Sequence, residues 1–378
     1  MRIVNGMVFD GQCFRERDVV VEGDRFARVE PAGATGLAGA HDVDAQGCYV
    51  IPGLIDVHFH GAMGHDFCDA EQEGIAAIAR YEASRGVTAI CPATMTYPEE
   101  LLTSVARTAA AFEPAADEAA LVGINMEGPF ISPDKIGAQN PAYVQRADAA
   151  MLRRIQKEAG GLVKLVDIAP EEPAALEFTA EVADEVRVSL AHTCTDYDTA
   201  RAAFERGARH MTHLYNAMPG LHHRKPGPIA AAWEAPEATV ELICDGVHVH
   251  PAMARLTFAL FGAERICLIS DSMRACGLED GTYDLGGQDV TVRGNVATLA
   301  DGTIAGSVTD LAACVRHAVR EMGVPLEDAV LAATLTPARA IGIDTERGSL
   351  EAGKAADVLV LDEDLNVKHV VLRGELLK

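Results

Sequence analysis

The chain has 378 residues, with 32 Lys+Arg against 56 Asp+Glu and a formal net charge of −24. A hydrophobic fraction of 49% beside 23% charged residues is that of an ordinary globular protein, which excludes disorder, collagen and coiled coil. The acidic excess argues against nucleic acid or an anionic membrane as partner, because both need clustered Lys and Arg. A small anionic ligand needs only a local basic pocket and stays open.

Residues 1–50 alternate short β-rich runs at 7–11, 18–24 and 48–50 with turns. Asp10-Gly11 and Glu22-Gly23-Asp24 are hairpin signals. The N-terminus carries no basic segment followed by an apolar one. No apolar run approaches the ~18–20 residues of a membrane span. None of the nine cysteines forms a Cys-x-x-Cys spacing, and several, such as Cys267, lie inside apolar runs. Reduced, buried thiols and a cytoplasmic location are expected.

From residue 51 a different unit repeats. Apolar runs fall at 51–57, 87–91, 121–126, 163–168, 186–191, 209–212, 239–243 and 265–270. Helical patterns separate most of them, for example 75–81 and 198–206, the latter closed by Gly207. Apolar strands alternating with helices imply a parallel sheet covered on both faces. Eight such units predict an α/β chain with a (β/α)8 TIM-like barrel over 51–344. An open doubly wound sheet would put a Gly-rich turn after its first strand, where this chain has His58-Phe59-His60. Runs at 356–362 and 367–374 resume the β texture. A small β-sandwich domain built from both termini, 1–50 and 345–378, is therefore expected.

Chemistry in a barrel sits at the C-terminal strand ends. Those ends carry His58, His60, Thr94, Glu127, Glu171, His192, His213, Asp245 and Asp271. At a spacing of two, His58 and His60 share one face of a strand. Each residue alone has an ordinary reading: Glu127 as a capping or solvated acid, His192 and His213 as core histidines, Asp271 as a helix cap. Together, His58, His60, Glu127, His192, His213 and Asp271 predict a metal site. Imidazole and carboxylate donors suit Zn²⁺, with Fe²⁺ or another first-row ion as alternatives, one or two per chain. Such an ion lowers the pKa of water to ~7. Asp271 is placed to act as acid/base. The reaction so described is metal-assisted hydrolysis of an amide-like bond.

Several blocks resemble the amidohydrolase superfamily and, within it, the N-acetylglucosamine-6-phosphate deacetylase family. They are Pro52-Gly53-Leu54-Ile55-Asp56-Val57-His58-Phe59-His60-Gly61, Glu127-Gly128-Pro129-Phe130 and Thr212-His213-Leu214-Tyr215-Asn216-Ala217-Met218. Leu242-Ile243-Cys244-Asp245-Gly246-Val247-His248, Ser270-Asp271-Ser272-Met273 and Asp301-Gly302-Thr303-Ile304-Ala305-Gly306-Ser307 complete the set. His-x-His marks only the superfamily, whereas Glu-Gly-Pro-Phe and His-Leu-Tyr-Asn-Ala-Met are specific to the narrower family.

The resemblance implies a barrel with a terminal β-sandwich, and deacetylation of a phosphosugar in amino-sugar catabolism. It implies that Glu127, His192 and His213 hold one metal, and that Asp271 is the catalytic acid/base. With both His58 and His60 present, a binuclear site bridged by Glu127 is implied. Lys164 falls too early on its strand for a bridging carbamylated lysine. Substrate contacts fall on Asn216, Ala217, Arg224 for the phosphate, and His248 near the scissile carbonyl. Arg224 is expected to reach the neighbouring site of a homodimer.

One departure stands out. Lys135-Ile136-Gly137-Ala138-Gln139-Asn140-Pro141 has Gln139 where the family has a substrate-facing histidine. A preference for the galacto epimer, or another N-acylhexosamine 6-phosphate, is an alternative. Two further readings are a dihydroorotase- or dipeptidase-like amidohydrolase and a non-catalytic scaffold barrel. The missing strand-four lysine and the Arg224 loop count against the first, and the retained ligand set against the second.

Overall fold

The computed structural model describes residues 1–34, 39 and 41–377. Eight parallel strands occupy its centre: β1 Leu54–Asp56, β2 Val87–Ile90, β3 Ile124–Phe130, β4 Val163–Ile168, β5 Arg187–Leu190, β6 His210–Met211, β7 Thr239–Ile243 and β8 Ile266–Ile269. Each falls on one of the eight apolar runs. β1 pairs with β2, and β3 to β8 pair in chain order, every pair parallel. A parallel bridge between Ala93 and Asn125 links the two groups. Beyond β1 and β8, the Asp271 amide donates to His58 O at 3.0 Å.

A helix follows each strand: Gln72–Ser84, Glu99–Ala110, Ala149–Glu158, Ala175–Val182, Tyr197–Glu205, Gly227–Glu234, Pro251–Phe261 and Leu311–Arg320. Local chemistry sets their ends. Asp196 accepts from Thr199 N at 2.8 Å and starts Tyr197–Glu205. Gly207, at φ 111°, turns the chain just past it. In Ala149–Glu158, Met151, Leu152 and Ile155 are buried while Arg153 and Arg154 face outward, the three-and-four spacing of an amphipathic helix.

Alternate strand residues share a face. Ile55, Val57, Ala89, Cys91, Leu165, Ile243, Cys267 and Ile269 meet in one buried cluster drawn from five of the strand segments. Polar residues occupy the same parity on the others. Ser189 Oγ lies 2.6 Å from Thr212 Oγ1, which donates to Asp167 Oδ1 at 2.9 Å. The middle of the molecule is thus apolar at one level and hydrogen-bonded at the next.

Both termini enter one sheet. Its order runs from Glu375–Leu376 through Val367–Leu372, Val358–Leu361, Tyr49–Pro52, Arg2–Phe9 and Phe14–Glu22 to Arg25–Pro31. The two expected hairpins turn at Asp10-Gly11 and Gly23-Asp24. Val358–Leu361 lies antiparallel to Tyr49–Pro52, and Ile3, Val19, Val50, Val358 and Val371 share a core there. An antiparallel meander of Gly281–Leu285, Gln288–Arg293 and Val296–Thr298 was not anticipated from the sequence. Its Gln288 Nε2 donates to Ala138 O at 2.6 Å and so ties it to the segment carrying Gln139. All nine cysteines are free thiols.

Candidate functional site

At the C-terminal side of the parallel strands lies a cavity of about 610 Å³. His60, Glu127, His192, His213, His248 and Asp271 line it, with Gln139, Asn216 and Ala217. His58 lies beneath them, fully buried. Glu127 does not follow its strand, as the sequence suggested, but lies within β3, whose register against β4 is irregular between Met126 and Phe130. His192, His213 and Asp271 adopt left-handed backbone conformations, with φ of 41°, 28° and 50°. Such residues cost ~1–3 kcal/mol each and persist only where their surroundings hold them. Gly137 must be small: at φ +57° its Cβ would come within 3.1 Å of the His192 ring.

Two sets of three donors form, each with ligand atoms within 4.8 Å of one another: His58, His60 and Asp271, and Glu127, His192 and His213. Hydrogen-bond bookkeeping tests whether a cation fits. His192 Nδ1 lies 3.0 Å from Lys135 O, which can only accept, so Nδ1 carries the proton. In a neutral ring Nε2 then presents a lone pair, yet it faces Glu127 Oε1 at 3.0 Å and His213 Nε2 at 3.2 Å. His213 Nε2 also lies 3.2 Å from Glu127 Oε1. His58 repeats the pattern: Nδ1 meets Glu241 Oε2 at 2.8 Å, while Nε2 has no hydrogen-bond partner. That nitrogen is aimed between Glu127 Oε1 at 3.5 Å and Asp271 Oδ1 at 3.9 Å. His60 Nε2 lies 3.4 Å from Asp271 Oδ1 and 3.5 Å from Glu127 Oε2. His192 and His58, each with Nδ1 turned to an acceptor, present Nε2 lone pairs toward the Glu127 carboxylate, and a cation between them satisfies both. The residues fit a divalent cation.

The electrostatics agree. Burial opposes charge on His58, but Glu241 and Glu127 outweigh it and hold its pKa well above the ordinary value. Burial likewise opposes ionisation of Glu127, but His58, His192 and His213 keep it well below the carboxylate range. Asp271 stays ionised because His60 and His58 outweigh its burial. His248 Nδ1 sits 2.7 Å from Asp245 Oδ2, so only Nε2 remains for a ligand. Asp245 in turn accepts from the amides of Val247 and His248 at 2.9 and 3.0 Å.

Other candidates behave differently. Asn216 Nδ2 is engaged by its own turn, donating to His213 O at 3.2 Å and Leu214 O at 3.3 Å, which leaves its carbonyl oxygen for a ligand. Gln139 is buried against Glu127 and Thr96. Arg224 is not in the cavity of its own chain. It lies in the exposed loop 221–225, 2.6 Å from His223 Nε2. Glu171 accepts from Thr193 Oγ1 and Cys194 N, both at 2.5 Å, so it holds the turn after β5 and does not line the cavity.

Residues 49–377 match the amidohydrolase family. The chain is 38% identical to an N-acetylglucosamine-6-phosphate deacetylase from Bacillus subtilis (strain 168), over 86% of this chain and 84% of that one. The chain belongs to the amidohydrolase family. An N-acetylgalactosamine-6-phosphate deacetylase from Escherichia coli O157:H7 is 37% identical over 86% of each chain. A solved Mycobacterium smegmatis N-acetyl-D-glucosamine-6-phosphate deacetylase, in complex with N-acetyl-D-glucosamine-6-phosphate, superposes with TM-score 0.93 and 34% identity. It covers 100% of this chain and 99% of that one.

For this amidohydrolase, sequence reasoning missed Glu241. On β7 it receives His58 Nδ1, His210 Nε2 at 3.0 Å and the His213 amide at 3.0 Å. One signal was present: a lone acid in an apolar strand, two residues before Ile243 and so on the same face. A fully buried acid demands donors.

Proposed function

We propose that this chain is a metal-dependent deacetylase that hydrolyses N-acetylglucosamine 6-phosphate to glucosamine 6-phosphate and acetate. The observation that carries this reading is the convergence of three imidazole nitrogens on Glu127 Oε1 at the cavity floor. The curated relatives and the sugar-phosphate complex supply the substrate class.

A bound divalent cation, Zn²⁺ in this reading, supplies Lewis acidity toward the acetyl carbonyl and acidifies water. Asp271, ionised beside His60, accepts a proton from the attacking water and returns it to the departing amine. His248 turns Nε2 toward the acetyl oxygen while Asp245 fixes its ring. Asn216 and Ala217 hold the sugar phosphate at the cavity wall. Arg224 binds the phosphate of a neighbouring subunit in a homodimer, which accounts for its exposure here; a guanidinium suits bidentate phosphate binding. We read the eight strands as a closed (β/α)8 barrel over 51–344. The sheet of both termini, 1–50 and 345–378, is then a small β-sandwich domain. The Asp271–His58 backbone bond and the shared apolar cluster support closure. Among the described residues no helix is long and apolar enough to cross a membrane, and the free thiols suit the cytoplasm.

A second reading, the galacto epimer as substrate, is favoured by the Escherichia coli relative. Acetate release from the gluco and galacto 6-phosphates and from unphosphorylated N-acetylglucosamine tests both readings. The gluco phosphate is expected to be the best substrate. A faster galacto phosphate would select the second reading, and equal use of the unphosphorylated sugar would remove the phosphate assignment.

A further inference from the structure

The cavity wall beside His192 is built from three backbone segments tied together. Ser132 N donates to His192 O at 2.9 Å and His192 Nδ1 donates to Lys135 O at 3.0 Å, so the short turn Pro133–Lys135 is anchored at both ends. Thr193 N donates to Ala217 O at 3.0 Å. A Cβ on Gly137 would lie 3.8 Å from that of Ala217. Lys135 and Gly137 thus share a wall with Asn216 and Ala217. Lys135 is half-buried, and among the described residues its Nζ makes no hydrogen bond or ion pair. It is also the one lysine or arginine lining the cavity among the described residues, where Glu127, Asp134, Asp271 and Asp301 place carboxylates.

A phosphate monoester carries a charge of about −1.5 to −2 at neutral pH. A divalent cation on the cavity floor offsets Glu127 and Asp271 but leaves Asp134 and Asp301 to repel the phosphate. Arg224 of the same chain stays in its exposed loop. Lys135 is the group of this chain that can answer the repulsion and donate to phosphate oxygens. Its backbone is already fixed to His192, so binding orders only the side-chain stem.

We propose that Lys135 is a specificity-determining residue whose ammonium binds the phosphate of the sugar phosphate in the cavity of its own chain, beside the Asn216–Ala217 turn. This rests on the deacetylase reading and extends it. Lys135 from the chain itself and Arg224 from the neighbouring subunit together match a dianion. Part of the selection for a phosphorylated sugar is then built into each chain. A lysine ammonium acts as a point charge on a flexible stem, so arginine can supply the same charge from this position.

The test compares Zn²⁺-loaded full chains of wild type, K135M, K135Q and K135R on N-acetylglucosamine 6-phosphate and on unphosphorylated N-acetylglucosamine. Circular dichroism establishes folding, and K135Q carries the comparison if K135M misfolds. A hydrogen bond to a charged group is equivalent to about 10- to 100-fold in affinity. KM for the phosphorylated sugar is therefore expected to rise by about that factor in K135M and K135Q, with kcat within about threefold of wild type. Turnover of the unphosphorylated sugar and bound Zn²⁺ should stay at wild-type levels, and K135R should recover most of the loss. A purely structural role, acting through His192, would instead lower kcat and Zn²⁺ content and affect both sugars alike. Calorimetric titration with glucosamine 6-phosphate reads the contact without turnover, and its Kd should rise by about 10- to 100-fold in K135M and K135Q. Folded K135M and K135Q with wild-type KM and Kd, or a loss shared equally by the two sugars, would overturn the proposal. A wild type that binds glucosamine 6-phosphate through Lys135 but releases no acetate would refute the deacetylase reading alone, so the two failures are separate results.

Discussion

Replacing Glu241 by glutamine isolates what its charge does for the metal centre. The residue is completely buried and receives His58 Nδ1 at 2.8 Å, the His213 amide at 3.0 Å and His210 Nε2 at 3.0 Å. In Glu241→Gln the amide oxygen can take the Oε2 position and keep the first two donors. The NH₂ group then faces His210, whose ring can exchange tautomers because Thr239 Oγ1 lies 2.6 Å from its Nδ1. Shape and hydrogen-bond count survive, and the negative charge does not. A hydrogen bond to a charged group contributes about 1.5–3 kcal/mol against about 1 for a neutral one. The expected loss of His58 basicity is thus about 0.5–2 kcal/mol, or roughly 2- to 30-fold in cation affinity, which overlaps the range known for partners of ligating histidines. Chelator competition on the folded variant measures it, with kcat/KM falling in parallel. Glu241→Leu strands three buried donors at about 1–3 kcal/mol each and should fail to fold stably. If Glu241→Gln bound cation and turned over substrate within twofold of wild type, the orienting role given to Glu241 would be wrong.

Other expectations follow from the same geometry. His248→Asn should lower kcat/KM by about 100-fold with cation content unchanged, since it removes the ring held by Asp245; a change under threefold would remove His248 from the chemistry. Gly374→Ala should cost about 2–3 kcal/mol in thermal unfolding, because at φ +81° its Cβ would lie 2.0 Å from Gly23 O. Gly353→Ala, at φ +89° with open space around the Cβ, should cost only ~1–2 kcal/mol; equal losses would show that the junction of the two termini is not sterically tight. Arg2 hydrogen bonds outweigh partial burial and pull the Asp42 pKa down to about 2. A carboxyl lowered on folding stabilises above its unfolded value of ~4 and loses that contribution as pH falls through the folded one. Asp42→Asn should therefore cost ~1 kcal/mol or less at pH 7 in urea unfolding, a gap that closes toward pH 2.

The parallel strands were legible because each is a short apolar run bounded by a helical pattern. The candidate ligands stood out because each interrupts that texture directly after an apolar run, although Glu127 lies within β3. Gln139 was legible only as a departure from a motif. Its partners Thr96 and Glu127 are 43 and 12 residues away, and only folding brings them together. Glu241 was hidden because apolar neighbours, Val240 and Leu242, mask an acid whose donors come from other strands. The meander at 281–298 has short strands with polar outward faces, such as Asp284 and Asp289, and so gave no apolar run to read. The left-handed turns at His192, His213 and Asp271 lie at non-glycine residues, so residue type alone gives no sign of them.

The most direct measurement is acetate release from N-acetylglucosamine 6-phosphate by Zn²⁺-loaded protein, by the same sample after chelation, and after Zn²⁺ is restored. Turnover is expected to disappear on stripping and return on reloading, tracking cation content. No acetate from loaded, folded protein, or turnover unchanged by complete removal of the cation, would contradict the metal-dependent deacetylase reading.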